Sequence, residues 1–81
     1  MSTVARAATR KASLEIRHRL ANNLKRLREM RGYTQEELGN QCGLNRNYIS
    51  NVEQGKVNIT LANLEALAGG LGCTEAALLK K

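Results

Sequence analysis

The sequence predicts an all-α domain, a compact bundle of five short helices, on three observations. Its apolar residues recur at helical spacings of three and four with no strand-like alternation. The chain has no proline to interrupt them. Four times, a Thr or Asn stands just ahead of an apolar stripe, and glycines stand at the stripe ends, as helix caps and stops require. At 81 residues this is one small domain, which buries only about 60% of its unfolded surface and gains from tight packing or association.

Residues 1–12, MSTVARAATRKA, contain no acid and no apolar period, and are expected to form a flexible basic arm. Residues 13–81 form the folded domain. Ser13 is placed to cap the first helix, with Glu15 in its first turn. Ile16, Leu20, Leu24 and Leu27 then mark its buried stripe, and Gly32 ends it.

The second helix is expected over 35–42. Thr34 and Glu37 have capping-box spacing, and Tyr33 and Leu38 that of a hydrophobic staple. Gly43 stops this helix, Asn45 caps a third, and Leu44 and Ile49 repeat the staple. Two short helices joined by a three- or four-residue turn containing glycine outline a helix-turn-helix. Gly39, in mid-helix, makes sense where the third helix crosses closely.

On the third helix, a step of about 100° per residue turns Ile49 and Val52 inward, with Tyr48 and Glu53 at their flanks. Arg46, Asn47, Ser50, Asn51 and Gln54 share the opposite side. That face lacks a Lys/Glu ladder and carries side chains suited to base edges: Arg to guanine, Asn or Gln to adenine, Ser to either. A carboxylate facing phosphate would be unfavourable, so Glu53 is expected to turn inward and pair with Arg28 as a structural ion pair. Lys56 and Asn58, in the loop that follows, can reach phosphate. Thr60 and Thr74 cap a fourth and a fifth helix, the fourth with the stripe Leu61, Leu64, Leu67, Ala68 and Leu71.

The net charge of +6 is unevenly spread. Residues 1–31 hold nine of the 13 Lys/Arg and two of the seven acids (Glu15 and Glu29), the asymmetry a polyanion-binding protein needs. No run approaches the roughly 18 apolar residues of a membrane span. Cys42 and Cys73 lack metal-ligand spacing and are expected as buried reduced thiols in a cytoplasmic, nucleoid-associated protein. His18 has no catalytic or ligating neighbour at motif spacing. No phosphate loop, catalytic triad or carboxylate pair is present, so no enzyme activity, cofactor, metal or small-molecule ligand is expected.

The segments LKRLREMRGYTQEELG, CGLNRNYISNVEQGK and NITLANLEALAGGLGCTEAALL, from Leu20 to about Leu79, resemble the lambda-repressor/Cro-like helix-turn-helix family. The wording TQEEL, YIS, VE and GK is most similar to the controller proteins of restriction–modification systems. The resemblance implies a transcriptional regulator binding double-stranded, inverted-repeat operator DNA, with its third helix in the major groove. Carried over by position, Arg46, Asn47 and Asn51 would read bases with Ser50 beside them. Gln35 and Asn45 would join Lys56 and Asn58 on phosphate, and Arg28–Glu53 matches an ion pair recurring in the family. Size and resemblance together imply a homodimer through the last two helices, with Leu61, Leu78 and Leu79 as candidate interface residues. Two alternatives remain, the antitoxin of a toxin–antitoxin pair and a phage-type repressor. Gly39 and Gly69-Gly70 depart from the family pattern, and the basic arm is longer than these small regulators usually carry.

Overall fold

The computed structural model describes the backbone of residues 3–81 and the side chains of residues 13–81. Five helices follow one another: α1 (Thr3–Met30), α2 (Gln35–Cys42), α3 (Arg46–Glu53), α4 (Leu61–Leu71) and α5 (Glu75–Leu79), with no strand among the described residues.

α1 is longer than expected. It begins at Thr3, so Ser13 lies inside the helix and caps nothing, and residues 3–12 of the expected arm are helical. Met1 and Ser2 lie outside the described residues. The physical reason is composition: alanines and arginines dominate this segment, and no glycine or proline halts a helix propagating back from Ser13. The helix therefore runs past the bundle at its N-terminal end. There Ile16, placed in the buried stripe by its spacing, is 40% exposed, because the packed layer on α1 ends at Leu20.

The other helix starts are capped as their sequences dictate. Thr34 Oγ1 accepts from the Glu37 amide at 3.0 Å while Glu37 Oε1 accepts from the Thr34 amide at 2.9 Å, completing a capping box. Asn45, Thr60 and Thr74 cap α3, α4 and α5 in the same way, each accepting from an amide of the first turn. Gly43 turns the chain between α2 and α3 at φ +69°, where a side chain would be strained.

Every helix except the overhanging part of α1 contributes to one core. Leu20 and Leu24 of α1, Leu38 of α2, Ile49 and Val52 of α3, Leu64, Leu67, Ala68 and Leu71 of α4 and Leu78 of α5 are all buried. Each fully buried Leu or Ile is worth roughly 1.5–3 kcal/mol. Tyr33 and Leu44, the outer halves of the two staples, pack against this cluster, as does Ile59 ahead of α4. α5, only five residues long, is anchored by α1: Asn23 Nδ2 donates to the carbonyls of Leu78 and Lys80 at 2.9 and 2.7 Å. That satisfies acceptors a helix C-terminus otherwise leaves unpaired.

Close approaches explain two of the three unusual glycines, Gly39 and Gly70. A Cβ on Gly39 would stand 2.5 Å from the Leu44 carbonyl oxygen, in the turn leading to α3. One on Gly70 would lie 2.4 Å from Cys42 Sγ, where α2 crosses α4. Cys42 and Cys73 are free and half-buried, and burial pushes both thiols above their ordinary range, which leaves them poorly nucleophilic.

Candidate nucleic-acid interface

α3 presents one polar face to solvent. Arg46, Asn47 and Asn51 are exposed on it and Ser50 is half-buried. Gln54, at the end of the helix, donates from Nε2 to Ser50 Oγ at 2.9 Å, so Ser50 is oriented by a neighbour one turn away. Among the hydrogen bonds of the described residues none involves the side chains of Arg46, Asn47 or Asn51, which leaves their side-chain donors and acceptors available.

The opposite face holds α3 in place. Arg28 and Glu53 meet as a two-point pair, with Nε to Oε2 at 2.6 Å and Nη2 to Oε1 at 3.0 Å. The guanidinium also donates from Nη1 to the Tyr33 carbonyl at 2.8 Å. The pair is largely enclosed, its side chains 11% and 5% exposed, and the hydrogen bond to Glu53 holds the Arg28 guanidinium more firmly protonated than an exposed arginine. Gln35 adds a third donor, Nε2 to Glu53 Oε1 at 3.2 Å. One carboxylate thus ties α1, the start of α2 and the end of α3.

Gln35, expected on phosphate, is therefore also part of this scaffold. Its amide nitrogen carries two hydrogens, of which Glu53 takes one. Gln35 and Arg46 line the same shallow cleft, with Arg28, Thr34 and Glu36. Asn45 accepts from the Asn47 amide at 2.7 Å through Oδ1, so its cap role occupies the oxygen and leaves the amide nitrogen outward. Lys56 and Asn58 are exposed on the loop after α3. His18, which spacing left without a role, lies against that loop, its ring within 3.2 Å of where a Cβ on Gly55 would stand.

The three expected interface leucines separate. Leu61 is 84% exposed. Leu79 is half-buried and lines an apolar groove of about 190 Å³ with Leu61, Ile16 and Ile59. Leu78 is fully buried in the single chain and belongs to the core, which corrects its assignment to an interface. Adjacent leucines on a short helix point to different sides, and only the packing of α5 on α1 decides which faces inward.

Among the described residues no helix is long and apolar enough to cross a membrane, and no group of three or more His, Cys, Asp and Glu could hold a metal ion.

Residues 24–78 match the helix-turn-helix family HTH_3. Over 65 residues, 80% of this chain, the sequence is 45% identical to a hypothetical transcription factor of Neisseria meningitidis, of which it covers 61%. The crystal structure of that Neisseria factor superposes with a TM-score of 0.78 over 80% of this chain. Control protein C.MunI of a Mycoplasma species is 44% identical over 61 residues, 74% of this chain and 82% of its own length. The restriction–modification controller protein C.AhdI of Aeromonas hydrophila, 34% identical, superposes with a TM-score of 0.75 over 76% of this chain and 94% of its own. The chain thus spans about three-fifths of the Neisseria factor and most of C.MunI and C.AhdI.

Proposed function

The chain belongs to the helix-turn-helix family HTH_3, and from that premise we propose that it is a sequence-specific DNA-binding transcriptional regulator of the restriction–modification controller kind. The family is one of DNA-binding regulators rather than enzymes. The observation that carries the proposal is the exposed Arg46, Asn47 and Asn51 face on a helix clamped from behind by Arg28, Glu53 and Gln35. A helix with its readers free and its back pinned is what base recognition in the major groove requires.

In this proposal Arg46, Asn47, Ser50 and Asn51 read base edges. The free hydrogens of Gln35 and Asn45, with Lys56 and Asn58, grip the flanking phosphates, and the first amides of α2 add to that contact. Residues 1–12 supply a basic, partly helical arm and residues 13–81 the DNA-binding and dimerisation unit. The protein works in the cytoplasm on the nucleoid. Two copies pair through the α4–α5 side, where Leu61 and Leu79 offer apolar surface, and set two third helices about 34 Å apart on an inverted repeat. Identity of 44% to control protein C.MunI over 82% of its length, against 33% to the immunity repressor of Bacillus phage phi105 over 42% of its length, favours this over a phage-type repressor.

Selection of genomic fragments retained by the purified protein tests the proposal. Enrichment of an inverted repeat beside a promoter is expected. Retention of fragments without a common sequence would reject sequence-specific regulation.

A further inference from the structure

α3 is pinned firmly on its α1 and α2 sides and linked lightly on its α4 side. Its C-terminal end is fixed by Glu53, and Ile49 and Val52 seat it against α1 and α2. The backbones of α3 and α4 do not pack closely. Among the described residues, the side-chain hydrogen bond joining them is Asn63 Nδ2 donating to Tyr48 Oη at 2.9 Å, between two half-buried residues. Tyr48 lies in the first turn of α3, between a reading residue and a core residue. Asn63 lies in the first turn of α4, two positions after the exposed Leu61.

We infer that Tyr48 and Asn63 are positioning residues whose hydrogen bond sets the angle of α3 against α4, and thereby the spacing at which a dimer accepts its two half-sites. The inference rests on the proposed reading of the chain as a DNA-binding dimer joined on its α4 side. The lever is short but sufficient. α3 is about 12 Å long, so a swing of about 10° about its Glu53 end moves the Arg46 end by about 2 Å. Hydrogen bonds to base edges do not survive such a shift. In a dimer, any change in angle between α3 and α4 acts on both reading helices at once and in opposite directions along the DNA.

The chemistry allows a clean substitution. Tyr48→Phe keeps the ring in place against the core and removes only the acceptor, while the half-buried Asn63 amide can turn to water. The test uses the inverted-repeat duplex recovered by genomic selection, versions with the half-sites one base pair nearer or farther apart, and a duplex with a single half-site. Tyr48→Phe and Asn63→Ala are each expected to bind the native spacing about threefold to tenfold more weakly and to lose discrimination against altered spacing by the same factor. Binding to the single half-site stays within about twofold of the parent, because the reading face is intact. The double variant loses no more than the weaker single one, since both substitutions break one link. Undiminished spacing discrimination in Tyr48→Phe, equal weakening on half-site and full site, or additive losses would each overturn the inference. Failure of the parent to bind any duplex is a different result, visible before any variant is made, and would overturn the DNA-binding reading on which the inference stands.

Discussion

Glu53 places a negative charge on the helix proposed to enter DNA, yet its carboxylate is 5% exposed and met by two donors from Arg28 and one from Gln35. A buried pair of this kind adds little net stability over an apolar substitute, but removing one partner strands the other charge. Arg28→Ala is therefore expected to lower stability by about 3–5 kcal/mol, a large part of what a small domain possesses, as measured by urea unfolding. A loss under about 1 kcal/mol would mean that Glu53 finds solvent instead. The pair was legible in the sequence, because the helical phase of Glu53 put it at the edge of the buried face and Arg28 was the cation in reach. The third member was not. Gln35 was expected on phosphate, and only the fold shows that the start of α2 lies beside the end of α3. Tyr48 and Asn63, fifteen positions apart, were invisible as a pair for the same reason.

Among the elements, helix ends were the most legible features, because a cap is a local hydrogen bond between residues two or three apart. Thr34, Asn45, Thr60 and Thr74 all cap where their side chains indicated. Ser13 failed because capping potential does not stop a helix; only a breaker or a better alternative does, and the alanine-rich segment before it offers neither. The capping box also titrates. Hydrogen bonds from the Thr34 amide and hydroxyl lower the Glu37 carboxyl below its ordinary value. A depressed folded-state value contributes stability above the unfolded carboxylate pKa, and that contribution is lost as pH falls through the folded value. The stability difference between the parent and Glu37→Gln, present at neutral pH, should then vanish in the acid range; a difference constant down to strongly acid pH would show that Glu37 plays no such part. The adjacent glycines of α4 give an opposed pair of outcomes. A Cβ on Gly69 meets nothing within 4 Å, whereas one on Gly70 meets Cys42 at 2.4 Å. Gly69→Ala should raise stability by about 0.5–1 kcal/mol through helix propensity. Gly70→Ala should lower it by about 1–3 kcal/mol as α2 and α4 are forced apart. Thermal unfolding of the two variants checks both signs.

At the scale of the molecule, the proposed function gives separate tasks to the basic first third of the chain, the exposed polar face of α3 and the apolar α4–α5 side. Which leucines serve association could not be read from spacing, since Leu61 and Leu78 each continue an apolar pattern. Burial separates them, with Leu61 84% exposed and Leu78 sealed in the core. Leu61→Glu should leave the single chain folded and convert a dimer to a monomer in sedimentation at micromolar concentration; a dimer that persists would place the interface elsewhere. The central claim is that α3 reads base sequence through Arg46. Its most direct measurement is the ratio of affinities for the selected operator and a random duplex, for the parent and Arg46→Ala at one fixed salt concentration. A loss of about 1–3 kcal/mol on the operator, with far less on the random duplex, is the expected result. An unchanged ratio would contradict base reading by this face.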